Sequence, residues 1–307
     1  MIVFPNCKIN LGLQILNKRE DGYHNLATIF YPIGWKDIVE VVRRDDGPRT
    51  TDEGKTLSEV EGLEHPERSR RIERSHDNNI HFSSSGLAVA GDPQNNLCIK
   101  AYNLLKKDFP SLPPVHMHLH KTIPMGAGLG GGSADGAFTL KLLNEKFQLG
   151  LSKQQLIDYA LQLGSDCPFF ILNQPVYATG RGEVMEQIAL DLSKYQFVIV
   201  NPGIHVKTSW AFAQVSGRLE RPDTYVDIRT IIQQPIHTWK ERLINDFEAP
   251  VCKAHPEIAA IKEELYNAGA LYASMTGSGS TVFGIFEHIE SHQLSFDRNY
   301  IQKIVNG

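Results

Sequence analysis

Apolar and polar positions alternate from the start of the chain. In "CKINLGLQIL" (7–16), Ile9, Leu11, Leu13 and Ile15 take one face, and Lys8, Asn10 and Gln14 take the other. That period predicts a strand. "NKREDGYHN" follows, with Asp21-Gly22 as a turn signal. "LATIFYPIGWKDIVEVV" predicts one or two more strands. "VHMHLHK" alternates as well, with Val115, Met117 and Leu119 against His116, His118 and His120. It reads as a half-buried strand with a solvated histidine face, because nothing else in the sequence supports a metal set. Helical spacing appears in "NNLCIKAYNLLKK", where Leu97, Ala101, Leu104 and Leu105 share a side. It recurs in "SADGAFTLKLLNEKF", in "LSKQQLIDYALQLG" with Gly164 as its C-terminal glycine, in "SWAFAQV" and in "PEIAAIKEELYNAG". "PFFILNQPVYATGRGEVMEQI" carries the aromatics and turn residues of a hairpin. "YQFVIVNPG" is a buried strand, and "ASMTGSGSTVFGIF" is a glycine-rich turn feeding another.

The segment 47–78 breaks the pattern. It is densely charged with few large apolar residues, and its glutamates interleave with its arginines. It reads as a solvated insertion rather than a basic recognition patch. The whole chain of 307 residues is long enough for two domains, with net charge -4. No global basic field invites nucleic acid, and no apolar run reaches a membrane span. Cys7, Cys98, Cys167 and Cys252 are scattered without paired spacing, which suits a reducing cytoplasm.

The chemistry concentrates in "PMGAGLGGGSADG" (124–136), with strand signals before it and helix signals after it. A bare backbone feeding a helix start presents unpaired N–H groups to an anion such as phosphate. Ser133 is placed to cap that helix, and Asp135 to lie in its first turn. The loop lacks the lysine of the Walker pattern. Gly126, Gly128 and Gly131 match the dinucleotide fingerprint as a string. The acidic partner of that motif should end the next strand, whereas Glu145 falls on the helix itself.

Three separated stretches, "KINLGLQILNKREDGYHNLATIF", "PMGAGLGGGSADG" and "MTGSGSTVFGIF", together resemble the GHMP kinase superfamily, which phosphorylates small molecules with ATP. "GSDCPFF", "NPGIHVKTSWAF" and "NDFE" extend the likeness in order along nearly the whole chain. The resemblance implies an α+β, two-domain GHMP kinase fold. A ribosomal-protein-S5-like α/β domain at 1–174 would bind ATP, and a ferredoxin-like domain would follow at 175–307. It implies ATP-dependent phosphorylation of the 2-hydroxyl of 4-diphosphocytidyl-2-C-methyl-D-erythritol, in the non-mevalonate route to isoprenoid precursors. Two alternatives stay open: another small-molecule kinase of the superfamily, acting on mevalonate, homoserine or a sugar, and a non-catalytic nucleotide-binding protein.

The same resemblance assigns residues. Asp166 matches the catalytic aspartate and Lys8 the catalytic lysine. Pro124, Met125, Gly126, Ala127, Gly128, Leu129, Gly130, Gly131, Gly132, Ser133 and Ala134 would hold ATP, with Ser133 also placed to touch Mg²⁺. Asn10, Tyr23, His24, Thr208 and Phe212 would hold the cytidine-diphosphate substrate. Gly277, Ser278 and Gly279 would pack beneath the phosphate loop, and Asn96 would lie toward the adenine. Cys7 stands where the family more often has alanine or serine, and Cys167 where it usually has a small apolar residue. The protein ligands of the metal and the oligomeric state are left open.

Overall fold

The computed structural model describes residues 1–44, 71–73, 79–89, 91–215 and 226–307. The charged segment 47–78 lies outside the described residues except for Arg71–Glu73. In chain order the elements are β1 (Ile2–Val3), β2 (Asn6–Lys18), β3 (His24–Lys36), β4 (Ile38–Arg43), β5 (Arg71–Glu73), β6 (Ile80–Gly86), α1 (Leu97–Asp108), β7 (Val115–Lys121), α2 (Gly131–Lys146), α3 (Lys153–Leu163), α4 (Cys167–Leu172), β8 (Val176–Thr179) and β9 (Val184–Gln187). They continue with β10 (Gln196–Asn201), α5 (Thr208–Val215), α6 (Ile228–Ile232), α7 (Glu248–Ala254), α8 (Pro256–Asn267), β11 (Tyr272–Met275), β12 (Val282–Phe286) and β13 (Ile301–Asn306). Among the described residues no helix is long and apolar enough to cross a membrane.

The described residues form three sheets. One runs β1-β4-β7-β6-β5, with β6 and β7 parallel. Its apolar face, including Val39, Val41, Phe82, Met117 and Leu119, packs on α1 to α4 in a first core. The second runs β2-β3-β8-β9 and the third β11-β12-β10-β13. Strand β10 is buried on both sides. Phe197 and Ile199 face Ile9, Leu11, Ile29 and Tyr31 of the second sheet. Val198 and Val200 face Ala211, Val251, Ile258, Ile261 and Leu265 of the C-terminal helices. The all-apolar "FVIV" run follows from that double burial.

Strand β2 departs from simple alternation. Lys8, Asn10 and Gln14 are buried as fully as the apolar positions, because the sheet is covered on both faces. At Gly12 (φ +67) the register against β3 slips between Leu11 and Leu13. This bulge sends Ile9 and Leu11 into one core and Leu13 and Ile15 into another.

Several local expectations are corrected. Helix α2 begins at Gly131 with left-handed Gly130 (φ 68) as its cap, so Ser133 is its third residue and makes no cap. Asp135 therefore lies beyond the first turn, and it is buried. Gly164 ends α3 in extended backbone (φ 166) rather than a left-handed turn. Pro168 to Leu172 are helical, with Pro168 near the start of α4 where its missing N–H costs nothing. Only the later part of that run forms the β8–β9 hairpin. The expected division between residues 174 and 175 falls between α4 and this hairpin, which hydrogen-bonds to β3. His118 and His120 are half-buried and hydrogen-bond to Ser83 and Ser85 of β6, rather than forming a purely solvated face.

One close approach joins the two halves of the chain. A Cβ on Gly128 (φ +79) would lie 2.1 Å from the Thr276 carbonyl oxygen, and one on Gly277 would lie 2.9 Å from the Gly128 Cα. Gly132, by contrast, faces open space with an ordinary helical φ. Gly128→Ala is expected to destabilise the protein by more than about 2 kcal/mol, since both backbone angle and contact oppose it. Gly132→Ala is expected to be neutral or stabilising by up to about 1 kcal/mol. Urea unfolding of the two variants reads the contrast directly, and equal midpoints would refute it.

Candidate active site

The end of β2 supplies the first charged group. Lys8 is 4% exposed, and its ammonium donates to the Asn10 Oδ1 at 2.6 Å. It lies 4.7 Å from the centre of the Phe30 ring. The Asp166 Oδ2 is 3.7 Å away, an ion pair too long for a direct hydrogen bond. Burial pulls the Lys8 pKa below the usual lysine range, and Asp166 opposes that pull. Asp166 stands at the start of α4 but makes no capping bond, so its carboxylate is directed to the cavity.

Asn10 is a hub. Besides Lys8, its amide donates to the Thr28 hydroxyl at 2.9 Å, and its backbone N–H donates to the Thr276 Oγ1 at 2.9 Å. The Thr276 hydroxyl shares its proton between the Asn10 Oδ1 and the Gly128 carbonyl, both at 3.2 Å. The Lys8 N–H donates to the Leu129 carbonyl at 3.0 Å. Strand β2, the glycine loop and the β11–β12 turn are thereby tied at one point. Asn245 reinforces the knot, its amide donating to the carbonyls of Met275 (2.8 Å) and Gly277 (2.9 Å).

The loop before α2 alternates. Gly126, Gly128 and Gly130 all have positive φ (64, 79 and 68). With the α2 N-terminus they form one wall of a cavity of about 730 Å³. Lys8, Asn10, Asp166, Ser133, Arg181, His205, Lys207, Thr208, Phe212, Gly277 and Ser278 also line it. A second cavity of about 560 Å³ adjoins it, lined by Tyr23, His24, Thr208, Ser209, Phe212 and Arg181. The His24 and Phe212 rings are stacked, 5.0 Å apart and 17° from parallel. His24 is buried, and desolvation lowers its pKa. Tyr23 is 56% exposed, with the Arg181 guanidinium 4.9 Å from its ring centre. Thr208 and Ser278 bridge the cleft through their hydroxyls at 3.0 Å. Gly279 packs instead on Met275 and Val206, away from the loop. A third cavity of about 280 Å³ meets the first at Met125, Gly132 and Leu97, and Asn96 lines it. The Asn96 side chain caps α1 by accepting from the Cys98 N–H at 2.8 Å.

Residues 96–174 match the family model for the GHMP kinases N terminal domain, and residues 235–299 match the GHMP kinases C terminal model. A 4-diphosphocytidyl-2-C-methyl-D-erythritol kinase of Bacteroides thetaiotaomicron is 47% identical, over 94% of this chain and 92% of that protein. One of Parabacteroides distasonis is 43% identical, with 97% of each chain covered. The chain belongs to the GHMP kinase family. A crystal structure of 4-(cytidine 5'-diphospho)-2C-methyl-D-erythritol kinase matches this GHMP kinase with a TM-score of 0.71 and 28% identity. That match covers 93% of this chain and 90% of the other. The protein described as L. major mevalonate kinase shares the fold, with a TM-score of 0.64 at 14% identity, over 100% of this chain and 96% of that one.

Residue patterns had not singled out Thr276, Thr28, Arg181 or Asn245 for a role in this kinase, although Asn245 lies in the quoted "NDFE". Lys121 was also missed, yet it carried a signal. It shares the parity of Val115, Met117 and Leu119, and so had to point into the core. There it is fully buried between the Asp37 Oδ2 at 2.5 Å and the Asp135 Oδ2 at 2.7 Å. Asp37 also accepts from the N–H groups of Thr122 and Ile123, while among the described residues the Asp135 Oδ1 has no hydrogen-bond partner. Burial pushes the Asp135 carboxyl up to about 8; Lys121 resists the rise and Asp37 adds to it. Burial alone would depress Lys121, but the two carboxyls outweigh it.

A folded Asp135 thus keeps its proton to about pH 8, whereas the unfolded residue loses it near pH 4. Through this group, wild-type stability falls as pH rises across that window. Asp135→Asn removes the slope. Urea midpoints at about pH 5 and pH 7.5 are expected to move in the variant's favour at the higher pH. A difference that stays constant between the two pH values would count against a protonated Asp135.

Proposed function

We propose that this kinase transfers the γ-phosphoryl group of ATP to the 2-hydroxyl of 4-diphosphocytidyl-2-C-methyl-D-erythritol. The observation that carries the reading is the position of the Lys8–Asp166 pair. It lines the glycine-loop cavity, suited to phosphates, and that cavity adjoins the aromatic one, suited to a base. The charge balance supports it. Lys8, Arg181 and Lys207 line the larger cavity against the carboxylate of Asp166, a balance that suits polyanionic substrates. The relatives at 43–47% identity carry the name of that activity. Likeness to mevalonate kinases at 14% identity extends to the fold alone.

Phosphoryl transfer asks a protein for positioning and charge stabilisation. In this reading the loop N–H groups and the α2 N-terminus hold the donor phosphates. The acceptor hydroxyl sits between Lys8 and Asp166. Its oxygen bonds to the γ-phosphorus, its proton passes to the Asp166 carboxylate, and the bond to ADP breaks with its electron pair on ADP. The buried Lys8 ammonium offsets the negative charge that gathers there. The donor end of the cavity also fits Mg²⁺. The Ser133 hydroxyl lines it in the first turn of α2, and the ion would neutralise phosphate charge while keeping much of its water. Tyr23, His24 and Phe212 offer ring faces and a polar edge to the cytosine.

Release of ADP is the direct test, with the cytidyl compound, mevalonate, homoserine and galactose offered separately. Turnover is expected with the cytidyl compound alone, and turnover only with another acceptor would replace the substrate. Asp166→Asn is expected to bind ATP normally and to slow transfer by about 100-fold or more. Wild-type turnover in that variant would remove Asp166 from the mechanism. Tyr23→Ala is expected to act mainly on the KM for the cytidyl substrate, raising it by about tenfold. An unchanged KM would mean that Tyr23 does not touch the base.

A further inference from the structure

We infer that Arg181 grips the diphosphate of the acceptor and so sets the preference for a nucleoside diphosphate over a monophosphate, an inference that rests on the substrate reading above. With the base among Tyr23, His24 and Phe212 and the reacting hydroxyl at Asp166, the linking diphosphate must cross the seam between the two cavities. Five described residues line both sides of that seam: Leu26, Arg181, Thr208, Ser209 and Phe212. Arg181 is the charged one among them. Lys207 lines only the larger cavity, and Lys18 only the aromatic one.

The turn that carries Arg181 is built to bring it there. Gly180 and Gly182 flank it with positive φ (70 and 108). A Cβ on Gly182 would lie 3.5 Å from the Phe30 ring and 3.9 Å from the Asp166 Oδ1, so the turn comes up against the catalytic pair. The guanidinium lies against the exposed Tyr23 ring, which holds its plane at the rim of the base cavity. Its nearest carboxylate is Glu183, 3.8 Å from the Arg181 Nε, a pair too long to hydrogen-bond. Glu183 is instead engaged by the Arg181 backbone N–H at 2.5 Å. Among the described residues no side-chain hydrogen bond occupies the guanidinium, so its planar fork of donors is available to phosphate oxygens. With its side chain 38% exposed, it can move with an entering ligand.

Cytidine diphosphate and cytidine monophosphate, used as competitive inhibitors against the cytidyl substrate, test this. The wild type is expected to prefer the diphosphate. Arg181→Gln is expected to shrink that preference by about tenfold or more, and Arg181→Lys to keep part of it. If Arg181 merely supports Tyr23, both nucleotides weaken together, the ratio is unchanged, and the inference is overturned. Collapse of the ratio in Lys207→Gln but not in Arg181→Gln overturns it as well. A wild type that phosphorylates another acceptor and ignores both cytidine nucleotides overturns the substrate reading itself, which separates the two failures.

Discussion

An ammonium group buried at the end of a strand governs how this site is built. Lys8 is almost without water, and an ion so placed must be paired or hydrogen-bonded to stay charged. Asn10 supplies the close oxygen and Asp166 the opposite charge. The two come from opposite ends of the N-terminal half, so the cation fixes the approach of α4 to β2. The spacing is informative. Asn10 takes the hydrogen bond, leaving Asp166 close enough to feel the charge and far enough to bind something else.

Holding that geometry requires the two halves of the chain to meet without side chains between them. Gly128 and Gly277 touch backbone to backbone, and Thr276 ties both to Asn10. Polar groups at this meeting point are satisfied by one another, as buried donors and acceptors must be. The glycine loop is therefore not a free flap. Its conformation is set from below by a turn of the C-terminal sheet, and from the side by the Leu129 carbonyl that accepts from Lys8. A loop fixed in advance holds an anion without first spending ordering entropy.

What could be read from the sequence follows from the range of each interaction. Strands β7 and β10, helices α1, α3 and α8, and the glycine loop were legible because period and turn chemistry are local signals. The bulge at Gly12 was not. It depends on Leu243, whose side chain would meet a Cβ there at 2.8 Å. Apolar pattern alone also could not show that Lys8 and Asn10 are buried, since the cover over that face comes from residues more than a hundred positions away. Lys8 and Asp166 were nominated by resemblance and are found together. Asn10 was nominated to hold substrate; it lines the larger cavity, and its side chain also bonds Lys8, Thr28 and Thr276 inside the protein. Arg181 looked like an ordinary turn residue between two glycines, because the seam it faces forms only when the hairpin folds onto β3.

The trio beneath the loop answers a problem that the site creates. A helix N-terminus proposed to hold phosphates should have no free negative charge beside it, yet Asp135 lies in the second turn of α2. Lys121 lies against it, and burial with Asp37 nearby keeps its carboxyl protonated through neutral pH. The second carboxylate, Asp37, is neutralised by the same lysine and by two backbone N–H groups. The donor side of the cleft thus carries no net repulsion toward phosphate. The carboxylate that lines the larger cavity belongs to Asp166, beside the buried ammonium of Lys8. The two sets of carboxyl groups thus sit in very different surroundings, one enclosed beneath the helix end and one open to the cavity, as the proposed division between anion binding and proton acceptance requires.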